Sequence, residues 1–231
     1  MTLNLITSLS ILFHLSISSF VFGQETPFKK YHHFKSKLNY QDSIGNLDSA
    51  MIYCDSMIRY VNFYPYDYYQ GFIISQRNGD FVTANEYLVI GTKKGLQVNS
   101  FYGEELNQYF QTELGQTFLT IQDSLIQEHK NSIDLNYYLE LEKLYHRDQS
   151  IRDGSKEMEI NDGLIFDELI QLSEKKGFPT FSNTGYGCNY AKLILWHHRG
   201  EEYPNSSKWK KIIPLLQYQI DLGLITPGIF E

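Results

Sequence analysis

The chain has 231 residues, which is enough for one large domain or two small ones. Hydrophobic residues make up 42% of it and charged residues 20%, so the composition favours a packed core and argues against wholesale disorder. The net charge is -7, and basic residues cluster only in pairs such as Lys93–Lys94 and Lys210–Lys211. A nucleic-acid-binding surface needs a larger basic patch, so we expect no nucleic-acid partner.

The first 23 residues contain no Asp, Glu, Lys or Arg, and their middle is apolar and rich in Ser. Val21 and Gly23 occupy the -3 and -1 positions of a cleavage site before Gln24. This pattern predicts a secretory signal peptide over residues 1–23 and an exported bacterial protein, periplasmic or extracellular. The alternative is a membrane anchor over residues 5–22, which is at the short end for a span and carries several Ser residues. We expect no stable membrane span after cleavage.

The sequence contains two cysteines, Cys54 and Cys188, and both lie in apolar segments of helical periodicity. In an oxidising compartment they could form a disulfide. Free cysteines in apolar surroundings are commonly just buried, and we favour two unpaired, buried thiols. Because no pair of cysteines has the spacing of a metal site, we expect no metal bound through them.

A repeat with a period of 34 residues relates two segments of the N-terminal half, 44–60 and 78–94. At this offset the aligned pairs are Gly45 with Gly79, Asn46 with Asp80, Leu47 with Phe81, Ala50 with Ala84, and Tyr53 with Tyr87. A Gly that ends a turn, followed by a small Ala that lets two helices approach closely, resembles the second helix of a tetratricopeptide repeat. The period is also the length of that repeat.

Each repeat needs a first helix, and residues 29–42 and 66–77 can supply them, the second of these after the helix-start signal of Pro65. Residues 97–134 show helical periodicity but no third copy of the repeat. The resemblance implies a concave surface that binds a protein or peptide partner. The alternative is an array of helical hairpins with no such groove.

The C-terminal half predicts further helices in chain order. They are a helix over residues 135–151, one capped by Asn161 and Asp162 and closed by Lys175–Lys176–Gly177, one over 189–198, and one over 206–223. The segment "FPT" with the following "SNTGYG" is predicted to be a loop. Pro214 is expected either to kink the last helix or to mark where it begins.

The order of short motifs in residues 137–231 resembles the bacterial domain of unknown function 6624 family. These motifs are Asp148-Gln149-x-x-Arg152, Asn161 before a helix, "KKGFPT", the Gly185-Tyr186-Gly187 loop, an apolar helix ending in His197, and "IIPLLQYQIDLGLITP". Trp196 stands where the family has Gln before the His. The family pattern also continues with an Asp-Arg pair and a terminal Gln-Tyr-Gly-Thr-Gln, which are absent up to Glu231. The family has no established activity to carry over.

The polar residues of these motifs form the predicted site. Asp148 and His197 are the candidate catalytic residues, and Gln149, Arg152, Asn161 and Tyr186 are the candidate binding residues. Asp148 and Arg152 are four residues apart and can pair on one helix face, which is also common in purely structural ion pairs. In a functional site, Asp148 would act as a base or ligand, Arg152 would hold an anion, and His197 would join them from a later helix.

Adjacent residues on a helix point about 100° apart, so neither His32–His33 nor His197–His198 suits a single metal ion. No nucleotide-binding or serine-nucleophile motif is present, and we therefore expect no metal and no cofactor.

The sequence as a whole predicts an all-α protein with tetratricopeptide-like helical hairpins followed by a small helical bundle. We divide it into a signal peptide (1–23), a helical repeat region (24–134) and a helical domain (135–231). The favoured function is a protein- or peptide-binding scaffold, because no complete catalytic motif is present. The alternative is a hydrolase-like enzyme with a polar site made by Asp148, Arg152 and His197.

Overall fold

The computed structural model describes residues 26–101, 103–199 and 203–226. The predicted signal peptide, residues 1–23, lies outside this range. The all-α prediction is confirmed: the described residues form eleven α-helices and one short 3-10 helix, with no strand among them. Within these ranges, none of the helices combines the length and the apolar character needed to cross a membrane.

The N-terminal half begins with two helical hairpins. Their helices are α1 (Pro27–Ser43), α2 (Leu47–Tyr60), α3 (Pro65–Arg77) and α4 (Phe81–Lys93). Helix α1 packs against α2, and α3 packs against α4. Both predicted first helices are therefore present, and Pro65 is the first residue of α3, as its fixed φ favours.

The 34-residue repeat reappears in the geometry of the two hairpin turns. Gly45 and Gly79 both have a φ of 76°. The residue after each glycine caps the next helix: the side chain of Asn46 accepts a hydrogen bond from the backbone N–H of Ser49, and that of Asp80 accepts one from Thr83. Ala50 and Ala84, one turn later, are both completely buried. The repeated residues therefore encode one local structure twice.

Substitution of either turn glycine by alanine should lower the free energy of unfolding by about 1 kcal/mol, because a positive φ disfavours any residue with a Cβ. A Cβ at Gly45 or Gly79 would meet nothing within 4 Å, so the cost comes from the backbone alone and should be equal at the two sites. Urea unfolding of Gly45→Ala and Gly79→Ala measures it. Gly45→Asn is the control, because Asn tolerates this conformation better. Unequal costs would contradict the equivalence of the two turns.

The rest of the N-terminal half contains the 3-10 helix Val98–Ser100, α5 (Glu104–Phe110) and α6 (Glu113–Ser132). Helix α6 packs against α4 and covers the open side of the second hairpin. Buried apolar side chains between residues 28 and 125 form one cluster, and buried apolar side chains between residues 137 and 225 form a second.

The C-terminal half is formed by five helices. They are α7 (Leu135–Ser150), α8 (Lys156–Lys176), α9 (Phe181–Thr184), α10 (Gly187–His197) and α11 (Ser207–Asp221). Helix α7 packs against α8 and α10, and α11 packs against α8. The two halves touch where the ring of Tyr64 meets that of Phe181, with centroids 5.4 Å apart.

Two local predictions for this half were wrong, and one of the two alternatives for Pro214 is excluded. Helix α8 begins at Lys156, because Ser155 accepts a hydrogen bond from Met158 N–H, so Asn161 and Asp162 lie inside the helix and do not cap it. The segment predicted as a loop contains the single turn of α9, capped at Thr180. Helix α11 begins at Ser207 and runs through Pro214, so Pro214 does not mark its start.

The structure leaves Cys54 and Cys188 as free, buried thiols. Burial raises the pKa of each to about 12, so neither sulfur is a thiolate at neutral pH. This agrees with the interpretation of both cysteines as packing residues.

Candidate functional site

Asp148 is the centre of the polar cluster in the C-terminal half. It lies in the last turn of α7, and its side chain is 0% exposed. Its Oδ2 lies 2.8 Å from His197 Nδ1 and accepts a hydrogen bond of 2.6 Å from Gln149 Nε2. Its Oδ1 is in contact with Arg152 Nη2. The two candidate catalytic residues, Asp148 and His197, are therefore in direct contact, and two candidate binding residues, Gln149 and Arg152, also contact Asp148.

The local structure explains how Arg152 reaches Asp148. Helix α7 ends at Ser150, whose hydroxyl donates to the backbone carbonyl of Arg147 at 2.7 Å. The chain then turns at Gly154, which has a φ of 73°, before α8 begins. The sequence predicts Arg152 on the same helix face as Asp148, but Arg152 lies beyond the end of α7. It pairs with Asp148 from the segment that connects α7 to α8.

The position of His197 follows from the packing of α10 against α7. It is the last residue of α10, and its side chain is 17% exposed. A carboxylate can only accept a hydrogen bond, so the 2.8 Å contact assigns a proton to Nδ1 of His197. In the neutral imidazole, Nε2 then has a lone pair and can accept a proton. Arg152 Nη2 lies 2.9 Å from the same Nδ1. Both nitrogens are donors, and they lie close together because both face the carboxylate of Asp148.

Asp162 is a member of the cluster that sequence reasoning missed. Its Oδ2 accepts a 2.9 Å hydrogen bond from Arg152 Nη1, so the guanidinium lies between two carboxylates. Burial opposes the charge of Arg152, but the hydrogen bonds and charges of Asp148 and Asp162 outweigh it and raise its pKa. The sequence had assigned Asp162 to helix capping, and only its distance from Arg152 reveals its role.

This arrangement changes the role predicted for Arg152. Both terminal nitrogens of its guanidinium already face carboxylates, and two carboxylates outnumber one guanidinium. An anionic ligand would meet net negative charge here. Arg152 therefore holds Asp148 in place and is poorly suited to bind an anion.

The other two candidate binding residues take different positions. Asn161 lies next to the cluster on α8, where its Nδ2 donates to the carbonyl of Arg147 at 3.1 Å and ties α8 to α7. Tyr186 does not join the cluster. Its ring contacts that of Tyr190, with centroids 6.0 Å apart, and it lines a separate cavity between the two halves. Tyr186 therefore lies at that cavity and not beside Asp148, and its assignment as a binding residue stays a prediction.

His198 follows α10 directly as its C-cap and lies beside the cluster. Its ring stacks on Phe166 with centroids 4.6 Å apart. Burial lowers its pKa below the ordinary value of 6.5, although the carboxylates of Asp162 and Asp148 oppose this, while Lys208 and His197 add to it. His198 is therefore neutral at neutral pH.

The lowered pKa of His198 gives a pH dependence of stability with a definite sign. The imidazole of His198 binds a proton more readily in the unfolded chain than in the folded chain. Its contribution to the free energy of unfolding is therefore complete above about pH 6.5, the ordinary pKa of histidine, and is lost as the pH falls below that value. Relative to wild type, His198→Gln should therefore become more stable as the pH is lowered from 7.5 to 5.5. Urea unfolding at several pH values measures this. His146→Gln, the same substitution at an exposed position of α7, is the matched control.

In the described ranges, no three side chains of His, Cys, Asp or Glu come together in a way that could hold a metal ion. No protein-family model, no curated protein and no solved structure matches the chain. The resemblances to tetratricopeptide repeats and to the domain of unknown function 6624 family therefore stay predictions.

Proposed function

We propose that the protein carries a hydrolase-like acid–base site in which His197 transfers protons and the buried carboxylate of Asp148 orients it. The observation that carries the proposal is the 2.8 Å contact between His197 Nδ1 and Asp148 Oδ2. A carboxylate that holds Nδ1–H fixes the tautomer and stabilises the imidazolium that forms when Nε2 takes a proton. Helix packing alone does not require a histidine at this partly exposed position.

In the proposed reaction, His197 Nε2 takes a proton from water as the water oxygen bonds to the carbonyl carbon of the substrate. The bond between that carbon and the leaving group then breaks, and the imidazolium returns the proton to the leaving group. Arg152 and Gln149 act as positioning residues, because both contact Asp148. Since the cluster carries more carboxylates than guanidinium groups, the substrate class is a neutral ester or amide.

The experiment compares hydrolysis of 4-nitrophenyl acetate, which is neutral, with that of mono-4-nitrophenyl suberate, an ester of the same leaving group whose acyl chain carries a carboxylate. We expect the neutral ester to be the better substrate and His197→Gln to lower its turnover by at least about 100-fold. His146→Gln is the matched control, since His146 is an exposed histidine on α7 outside the cluster. Equal rates for wild type and His197→Gln, with both proteins folded, would rule the proposal out.

A second candidate function is the binding of a protein or peptide partner by the helical hairpins. The observation that favours it is the exposure of large apolar side chains on the second helices of both hairpins: Ile52 is 64% exposed on α2, and Val82 is 63% exposed on α4. Exposed apolar groups of this kind are common in partner-binding surfaces. The test is a pull-down from an envelope extract with wild type and with Ile52→Glu/Val82→Glu. A partner that both proteins capture equally, or no partner at all, would count against this function.

A further inference from the structure

A cavity of about 480 Å³ lies between the N-terminal and C-terminal halves. Its walls come from the end of α4 and the segment after it, from α6, from the start of α7 and from Tyr186. The apolar part of this lining is made by Leu96, Val98, Ile126, Ile133 and Leu135. This volume is within the range of small-molecule sites, about 300–1,000 Å³.

His129 closes one side of the cavity, and two glycines make room for its ring. A Cβ at Gly95, in the N-terminal half, would lie 2.6 Å from His129 Nε2, and one at Gly185, in the C-terminal half, would lie 2.8 Å from it. Burial lowers the pKa of His129, although a hydrogen bond with the backbone of Lys93 opposes this. The imidazole is therefore a neutral polar group in a mostly apolar wall.

The charge of the lining differs from that of the whole protein. The chain has 27 acidic and 20 basic residues. None of the residues that line the cavity is Asp or Glu, and Lys130 is the one Lys or Arg among them. Lys130 is exposed, and among the described residues no carboxylate forms an ion pair with it. A ligand that places a carboxylate at Lys130 would meet positive charge there and apolar side chains beside it.

We propose that this cavity binds a small carboxylate with a hydrocarbon tail, of the fatty-acid class, with the carboxylate at Lys130 and the tail against Ile126 and Leu135. The proposal is independent of the acid–base site, because none of the residues around Asp148 lines the cavity. It gives Tyr186, a candidate binding residue from the sequence, a place in the wall of this cavity.

Calorimetric titration of the protein with decanoate, below its micelle concentration, tests the proposal. Decanol and decyltrimethylammonium are the neutral and cationic controls. We expect saturable binding of decanoate that is at least about tenfold tighter than that of either control. Lys130→Glu should weaken decanoate binding by at least about tenfold. Lys210→Glu, the same charge change at an exposed position of α11, should leave it unchanged.

A second variant separates loss of the ligand from loss of the fold. Leu135 is the first residue of α7 and is 43% exposed. Leu135→Glu places a carboxylate in the cavity at a helix N-terminus, where negative charge is favourable, so the protein should stay folded. We expect this variant to melt within a few degrees of wild type and to bind no decanoate. Absence of decanoate binding to wild type, equal binding of decanol, or undiminished binding to a folded Leu135→Glu would each overturn the proposal.

Discussion

Arg152→Met should lower the free energy of unfolding by about 3 kcal/mol, which for a chain of this size is a fall in Tm of about 6–12 °C. The substitution keeps an apolar side chain of similar length but removes the guanidinium that faces both Asp148 and Asp162. Asp148 is 0% exposed, so its charge would be left in the interior with His197 and Gln149 as its remaining partners. Thermal unfolding followed by circular dichroism measures the change.

Arg147→Met is the matched control for this prediction. Arg147 is on the same helix and pairs with Glu168 at 2.7 Å, but these side chains are 42% and 45% exposed. Exposed ion pairs contribute at most about 1 kcal/mol, so this variant should melt within about 4 °C of wild type. Equal losses for the two variants would contradict the assignment of Asp148 as a buried charge that depends on Arg152. A higher Tm for Arg152→Met would mean that the cluster is held at a cost to stability, as functional sites often are.

Gly115→Ala should destabilise the protein about as much as Arg152→Met, with an expected loss of about 3 kcal/mol in the free energy of unfolding. Gly115 lies in the first turn of α6, where its N–H donates to Thr112 Oγ1 at 3.1 Å. An added Cβ would overlap the carbonyl oxygen of Tyr109 and lie 2.8 Å from the Cα of Phe110. These are backbone atoms, so α5 and α6 would have to move apart. Urea unfolding measures the loss.

Gly163→Ala is the control, and its expected effect has the opposite sign. Gly163 is inside α8, and an added Cβ there would meet only the Nζ of Lys208, at 3.6 Å. Alanine is about 1 kcal/mol more favourable than glycine within a helix, so this variant should gain up to that amount. If Gly115→Ala were as stable as Gly163→Ala, that result would contradict the close packing of the α5 backbone against Gly115.

The sequence by itself determined the helical character of the chain and much of its local geometry. The repeated Gly, polar cap and small Ala predicted the two hairpins, because turn, cap and helix signals act over a few neighbouring residues. The end of α8 at Lys176, followed by Gly177, could be predicted for the same reason. The start of α8 was not, because Ser155 and Asn161 are both good caps and the sequence does not rank them.

Only the tertiary structure decided which polar residues share a site. Asp148 and His197 are 49 residues apart, and the packing of α10 against α7 brings them together. The packing of α8 against α7 places Asp162 beside Arg152, so that the guanidinium faces two carboxylates, while Tyr186 lies at a different cavity. Helix periodicity tells which face of each helix is buried but not which neighbour covers it. That choice depends on the combined packing of all the helices, and the position of every side chain in the site follows from it.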